Sequence, residues 1–249
     1  MGWLKDHVYD AAKAEKMTPE ERHGKWPLGV FVDAPRPTYV EIYDREIVPK
    51  ATAQASSAPA IRPGKHAMPA GKFEIVVAGK AGQGIQKLGA MLAECVLQDG
   101  NHAAQIENYG PAARTGISLT EVVASGEPID FPLVETGNVL LAMTAEALTA
   151  HLPRVLASPA PIVLVDATFV EAVPKGAYGV PVTAIAREEF KLSMAANVVL
   201  LGAFAAISRL LTLAAAEAVV ARSVSRSVEQ NLAALRRGYE LGNAARADR

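Results

Sequence analysis

The chain has 249 residues, half of them apolar, which is enough for one α/β domain with an extension or for two small domains. Lysine and arginine total 25 against 26 for aspartate and glutamate, so there is no basic excess to neutralise nucleic-acid phosphates. A single cysteine, Cys95, excludes a disulfide framework, a zinc finger or an iron–sulfur cluster held by this sequence alone.

The same features predict a cytoplasmic protein, because a lone cysteine suits a reducing compartment. Residues 1–10 contain no apolar run, so we predict no signal peptide. Leu192–Ser208 is the longest uncharged run, but it is shorter than the ~20 apolar residues of a membrane span and is predicted to be a buried helix. The five histidines show no ligand spacing, so no metal site is predicted.

The composition changes near residue 70. Ala51–Ala70 is rich in Pro, Ala and Ser and has no periodicity, which is typical of a linker. Trp26–Val48 places aromatic residues between prolines, and either a partner-facing arm or packing onto the chain's own body accounts for it. We therefore divide the chain into an N-terminal extension, residues 1–70, and an α/β domain, residues 71–249.

Beyond residue 71, short apolar runs alternate with segments of helical spacing. Strands are predicted at Phe73–Ala78, His102–Ile106, Ile117–Ala124, Asn138–Met143, Pro161–Thr168 and Val180–Ile185. Helices are predicted at Gln83–Gln98, Glu188–Leu213 and Ala215–Asn243, with Asp99-Gly100 ending the first. This alternation predicts an α/β fold: a mainly parallel, Rossmann-like sheet with helices on both faces, preceded by an extended N-terminal arm.

The sharpest motif is a glycine loop, Gly79-Lys80-Ala81-Gly82-Gln83-Gly84, between a predicted strand and helix. Glycines let the backbone turn tightly, and the free N–H groups at the start of the helix favour an anion. The spacing G-x-x-G-x-G departs from the dinucleotide fingerprint G-x-G-x-x-G, although Glu107 ends the next strand where a ribose-binding acid would lie. A structural turn without a ligand is the other interpretation.

A second loop, Tyr109-Gly110-Pro111-Ala112-Ala113-Arg114-Thr115-Gly116, follows the second predicted strand. Arg114 and Thr115 offer donors suited to a carboxylate or phosphate, unless this is a surface turn with a solvated arginine. In a parallel sheet this loop, here called the arginine turn, lies at the same edge as the glycine loop.

Together the two loops resemble the gamma subunit of the pyruvate/2-oxoacid:ferredoxin oxidoreductase family, whose module opens with a strand, a G-x-G-G-Q-G-like loop and a helix. A Tyr-Gly-Pro segment running into Arg and Gly follows there, as YGPAARTG does at 109–116 here. VDAT at 165–168, NVVLLGAFA at 197–205 and SVEQNLAALRRGYELG at 227–242 extend the resemblance over about residues 72–243.

The resemblance implies a subunit of a complex that decarboxylates a 2-oxoacid on thiamine diphosphate and Mg, passes electrons through [4Fe-4S] clusters to ferredoxin or NAD, and releases an acyl-CoA. Partner alpha, beta and delta or ferredoxin-like subunits would carry that chemistry, so no catalytic residue is expected here. The resemblance implies that coenzyme A lies near Gly79, Lys80, Gly82, Gln83, Gly84, Lys87, Tyr109, Arg114 and Thr115, although solvated lysines would equally explain Lys80 and Lys87.

Two other hypotheses stay open from the residues alone: a stand-alone NAD(P)-binding oxidoreductase and a non-enzymatic assembly module. Cys95 is predicted to be buried and inert, and Asp166 either caps a loop or serves a site. Asn197, within an apolar helix, is either a satisfied core amide or an inter-subunit hydrogen bond.

Overall fold

The computed structural model describes residues 66–107, 116–224 and 226–248. The predicted arm and most of the linker lie outside these residues, so the boundary near residue 70 stays a prediction. The described elements run in the order β1 (Lys72–Lys80), α1 (Ile85–Gln98), β2 (His102–Glu107), β3 (Ile117–Ser125), β4 (Val139–Ala142), α2 (Ala145–Val155), β5 (Ile162–Asp166), β6 (Tyr178–Val180), α3 (Val182–Glu188), a 3-10 turn (Ser193–Ala195), α4 (Ala196–Ser208), α5 (Leu213–Ser223) and α6 (Val228–Ala247).

The described strands form one sheet in the order β2-β3-β1-β4-β5-β6. Strands β1, β4, β5 and β6 pair in parallel, while β3 pairs antiparallel with both β1 and β2. Five strands therefore share one direction and β3 opposes them, which confirms a mainly parallel sheet. The carboxyl ends of β1, β2 and β4 meet the amino end of β3 at one edge, and this edge carries the glycine loop.

Both faces of the sheet are buried, as the near-continuous apolar strands predict. On β1, Ile75 and Val77 face one core, which α1, α4, α5 and α6 cover. Their alternating neighbours Val76 and Ala78 face a second core, which α2 covers. Every residue of β4 is buried. The predicted arrangement of helices on both faces is confirmed.

Three predicted elements differ from the structure. The strand predicted at Val180–Ile185 was wrong beyond Val180, because residues 182–188 form α3. The two long closing helices were also wrong: α4, α5 and α6 are separate helices. Helix α2 was not predicted; its N-cap Thr144 accepts a hydrogen bond from Ala147 N–H at 3.2 Å, and Pro153 lies within the helix.

Long-range carboxylate contacts explain two of these differences. Asp166, at the end of β5 and fully buried, accepts hydrogen bonds from Thr183 Oγ1 at 2.5 Å and from Thr168 N–H at 3.0 Å. It thereby holds the start of α3, and it acts as a structural cap. Asp99 accepts from both the N–H and the hydroxyl of Thr212 at 2.7 Å, which fixes the corner between α4 and α5.

At the opposite end of β1, a buried carboxylate binds a turn. Glu74 Oε2 accepts three backbone N–H groups of residues 135–137, at 3.1, 3.1 and 2.8 Å, and Oε1 lies 2.9 Å from Lys72 Nζ. Burial raises the pKa of Glu74, but the N–H of Gly137, the Lys72 ammonium and the N–H of Thr136 outweigh it, so the pKa lies below its ordinary value of 4.5.

We predict that Glu74→Gln lowers the free energy of unfolding by about 2 kcal/mol at neutral pH, because charge-assisted hydrogen bonds are lost. The depressed pKa means that this stabilisation is complete above the unfolded-state value of 4.5 and disappears as the pH falls through the lower folded-state pKa. Thermal unfolding of both proteins as a function of pH measures this. The curves should converge at acidic pH, whereas Glu171→Gln, at an exposed position, should show no difference at any pH.

Candidate functional site

The glycine loop joins the carboxyl end of β1 to the amino end of α1. Gly82 has φ +90° and Gly84 has φ +75°, conformations that residues with a Cβ adopt only under strain. The turn is closed by Gln83 N–H donating to Lys80 O at 3.1 Å and by Lys80 N–H donating to Gln83 Oε1 at 2.6 Å. The Gln83 carboxamide oxygen therefore supports the loop from within.

Two further glycines of the loop are required by close packing. A Cβ on Gly79 would lie 2.7 Å from both Gln83 Oε1 and the Ile85 side chain. A Cβ on Gly84 would lie 2.7 Å from Asn197 Nδ2, at the start of α4. The loop is thus tied to a distant helix as well as to its own strand.

The amino end of α1 offers backbone donors that have no acceptor within the helix. Gly84 is the N-cap residue and provides no side-chain cap, and the first turn contains no acidic residue. The orphan N–H groups and the helix dipole consequently favour an anion at this end of the helix. The loop geometry agrees with the anion-binding interpretation of the sequence.

The two predicted lysines lie on different parts of this site. Lys80 is exposed at the end of β1, and Lys87 is exposed on the first turn of α1, where it lines a cavity beside Asn197. Within the described parts of the chain, neither lysine forms an ion pair. Both charges are therefore available to an anion.

The predicted residues Tyr109, Arg114 and Thr115 lie outside the described residues, so their side-chain positions stay a prediction. The flanks of the arginine turn are described. Gly116 O accepts a hydrogen bond from Ala81 N–H at 3.3 Å, and Ile117 pairs with Lys80. The described residues on either side of the turn, Glu107 and Gly116, therefore lie at the sheet edge that bears the glycine loop.

Sequence reasoning missed a buried polar group next to the loop. Gln86 Nε2 donates to Leu119 O at 2.9 Å, but Gln86 Oε1 accepts no hydrogen bond although it is buried. Asn197 Oδ1 is likewise buried and without a donor. Within the described residues, these are the buried side-chain oxygens and nitrogens that lack a partner, and both residues neighbour the glycine loop.

Unsatisfied buried acceptors are rare in folded proteins and call for a partner such as a ligand, water or another chain. A polar residue at position 86 is visible in the sequence, but its missing partner follows only from the packing of α1 on β3. The sequence left two interpretations of Asn197, a satisfied core amide or an inter-subunit hydrogen bond. The first is wrong, because Asn197 Oδ1 has no donor among the described residues.

Other groups have structural roles. Cys95 is fully buried, and burial, followed by the charges of Asp99 and Glu94, raises the pKa of its thiol, so it is inert at neutral pH as predicted.

Glu107 ends β2, and β3 separates β2 from β1. Glu107 therefore lies two strand spacings, roughly 10 Å, from β1, the strand that leads into the glycine loop. The ribose-binding position suggested by the sequence is therefore not formed next to β1.

No helix in the described ranges is long and apolar enough to cross a bilayer.

Comparison with known proteins gives one family. Residues 74–241 match the family described as Pyruvate ferredoxin/flavodoxin oxidoreductase. The 2-oxoglutarate synthase subunit KorC of Methanocaldococcus jannaschii is 37% identical over 175 residues, which cover 68% of this chain and 92% of that subunit.

Solved structures agree with this match. The keto/oxoacid ferredoxin oxidoreductase gamma subunit from Geobacter sulfurreducens PCA superposes with a TM-score of 0.61 at 30% identity, covering 69% of this chain and 99% of that one. A 2-oxoglutarate:ferredoxin oxidoreductase from Magnetococcus marinus shares the fold, with a TM-score of 0.60 at 22% identity, covering 70% of this chain and 31% of that one.

Proposed function

Because the chain belongs to the pyruvate ferredoxin/flavodoxin oxidoreductase family, we propose that it is the gamma-type subunit of a multisubunit 2-oxoacid:acceptor oxidoreductase. The complex converts a 2-oxoacid and coenzyme A into an acyl-CoA, CO2 and reduced acceptor, with ferredoxin as the acceptor that the relatives favour. The substrate that the KorC relative supports is 2-oxoglutarate. Pyruvate and aryl 2-oxoacids such as phenylglyoxylate are the other substrates to assay.

The redox cofactors belong to partner subunits in this proposal. A [4Fe-4S] cluster needs four thiolates, and this sequence has one cysteine, which is buried on α1. The described residues contain no grouping of three His, Cys, Asp or Glu side chains suited to a metal ion. Thiamine diphosphate, Mg and the clusters are therefore assigned to alpha, beta and delta or ferredoxin-like subunits in the cytoplasm, with which this chain assembles.

The chain's own contribution is part of the coenzyme A site. We assign the phosphates to Lys80, the glycines of the loop and the amino end of α1, with Tyr109, Arg114 and Thr115 completing the site. The observation that carries this assignment is the uncapped, acid-free start of α1 beneath two positive-φ glycines. The orphan Gln86 Oε1 is suited to an N–H or O–H donor of the same ligand.

Lys80→Ala tests this assignment in the assembled complex. We expect the KM for coenzyme A to rise about tenfold with kcat little changed, because the charge contributes equally to the bound substrate and to the transition state. Lys175→Ala, at an exposed position elsewhere in the chain, serves as the control. An unchanged KM in Lys80→Ala would place coenzyme A away from this loop.

Two measurements address the competing functions. Calorimetry of the full chain with NAD(H) and NADP(H) should detect no binding, and micromolar affinity would instead support a stand-alone dehydrogenase.

Purification of the tagged chain at native abundance should recover thiamine- and cluster-bearing partners. Recovery of the chain alone would contradict the subunit proposal.

The extension, residues 1–70, is proposed as an assembly arm. Deleting it should leave the turnover of intact complexes unchanged while lowering the fraction of chain that remains assembled, as measured by native mass spectrometry. A loss of turnover in fully assembled complexes would show that the arm reaches the catalytic centre.

A further inference from the structure

A half-open cavity of about 490 Å³ lies where four helical segments meet. It is called here the Asn197 groove. It lies between the first turn of α1, the segment leading into α4, the end of α5 and the start of α6. Its lining residues are Lys87, Leu192, Met194, Ala195, Asn197, Val198, Val224, Arg226, Ser227 and Asn231. The groove shares Lys87 with the proposed coenzyme A site but is built mainly from other elements.

The two charged residues that line the groove in the described ranges are both positive. Lys87 and Arg226 are exposed, and in the described parts of the chain neither has an ion-pair partner. Among the residues that the structure describes, no acidic one lines the cavity; Glu229, in the first turn of α6, is not a lining residue. The groove therefore attracts a negatively charged group.

The amino end of α6 strengthens this preference. Ser227, the N-cap residue, has φ +53° and makes no side-chain cap, so the first turn of this 20-residue helix lacks the usual acceptor. A carboxylate between Arg226 and this turn would accept hydrogen bonds from the guanidinium and from backbone N–H groups.

One residue that lines the groove has an unpaired hydrogen-bond acceptor. Asn197 is 3% exposed, and its buried Oδ1 has no donor among the residues that the structure describes. An anion alone leaves this oxygen unsatisfied, because a carboxylate or phosphate oxygen does not donate a proton. An occupant that also satisfies this oxygen carries an N–H or O–H group as well as a negative charge.

Apart from Asn231, whose amide donates to Ser227 O at 2.9 Å, the remaining lining is apolar and extends to the surface. Leu192 and Val198 contribute apolar wall, and Met194 is a large apolar side chain that is 70% exposed. An exposed apolar side chain beside a charged groove is typical of a protein–protein contact. A carboxylate, a donor and an apolar surface occur together in an acidic polypeptide segment, whose backbone N–H supplies the donor.

We propose that the Asn197 groove is the docking site for an acidic segment of a partner subunit. An Asp or Glu of that segment lies against Arg226 and the start of α6, a backbone N–H donates to Asn197 Oδ1, and an apolar neighbour covers Met194. The proposal rests on the proposed subunit function and identifies one of its assembly surfaces. Asn197 Nδ2 also packs against Gly84. The side chain of Asn197 therefore connects the docking groove with the glycine loop.

Photo-crosslinking of the intact complex tests the proposed occupant. Met194 is replaced by p-benzoylphenylalanine, and crosslinked peptides are identified by mass spectrometry. The expected product is a partner-subunit peptide containing an Asp or Glu close to the crosslinked residue. No crosslink in an assembled complex, or a peptide without an acidic residue, would overturn the proposal. The same substitution at Leu156, exposed and outside the groove, is the control and should give a different product or none.

Asn197→Leu tests the unpaired acceptor separately. Leucine is similar in size but needs no hydrogen bond, so the melting temperature of the lone chain should be unchanged or higher. Dissociation from the complex should be about tenfold faster. A lower melting temperature, or unchanged dissociation, would contradict the proposed role of Asn197 in docking.

Arg226→Glu tests the charge preference, with Lys175→Glu as the matched control. Only the first should weaken retention of the chain in the complex, and the effect should shrink at high salt. Equal retention of both variants would contradict an acidic partner. Lys87 stays unchanged in every variant, so failure of these tests leaves the Lys80 measurement of coenzyme A binding as an independent test of the function.

Discussion

Gly202→Ala should lower the free energy of unfolding by about 3 kcal/mol, at the upper end of the usual cost of overpacking. Gly202 lies on α4, and a Cβ there would be 2.0 Å from Leu235 O and 2.9 Å from Tyr239 N, both on α6. These atoms belong to the backbone, so a rotamer change cannot relieve the contact. The two helices must separate, and separation loosens the packing along their whole contact.

Chemical denaturation of the purified chain measures this effect. Gly126→Ala is the control, because a Cβ there meets only Asn101 Oδ1, at 3.9 Å. We expect the control to lie within about 0.5 kcal/mol of the parent, as surface substitutions usually do. Equal stability of Gly202→Ala and Gly126→Ala would mean that α4 and α6 do not approach as closely as described.

The reciprocal position provides a test of coupling. A Cβ on Gly238, on α6, would lie 2.0 Å from Val199 O on α4. Once the first added methyl has separated the helices, the second should cost less, so the double variant should be more stable than the sum of the single effects indicates. Strict additivity would imply that the two sites relax independently.

The close contact of α4 and α6 also determines the shape of the Asn197 groove. Asn197 lies in the first turn of α4, and Arg226 and Ser227 immediately precede α6. Their spacing is therefore determined by how closely the helices pack. Small residues in the closing helices thus support an interaction surface as well as core stability.

Local sequence patterns were sufficient to predict most strands and helices in the first half of the domain. Predicted strands at Phe73–Ala78 and Ile117–Ala124 agree with β1 and β3 to within two residues at each end. Alternating apolar residues and glycines at strand ends are local signals, and they locate these two strands correctly. The antiparallel direction of β3 had no such signal, because pairing direction depends on how the whole sheet assembles.

The second half of the domain depended on distant contacts. The β-branched residues from Val180 to Thr183 favour a strand, but Asp166 binds the N-terminal turn of α3 through Thr183. The candidate site was also only partly predictable, because some of its features depend on contacts between residues that are distant in the sequence. The sequence identified the glycine loop, whereas the missing partners of Gln86 and Asn197 follow only from three-dimensional packing.

Gly82→Val should raise the KM for coenzyme A at least tenfold while leaving the fold intact. Gly82 has φ +90°, and a β-branched residue at such an angle costs about 1–3 kcal/mol of local strain. A Cβ at this position meets no atom within 4 Å, so the loop can relax without disturbing the core. Relaxation moves the loop backbone to which we assign the coenzyme A phosphates, so binding should weaken while folding is retained.

Gly71→Val separates strain from function. Gly71 has φ +114° and is equally free of neighbours, but it precedes β1 at the opposite end of the strand from the glycine loop. Both variants should lose a similar amount of thermal stability, because both place a branched side chain at positive φ. Only Gly82→Val should change the KM for coenzyme A in the assembled complex. If the two variants changed that KM equally, or if Gly82→Val unfolded the domain, the loop would be a structural turn and the coenzyme A assignment would be wrong.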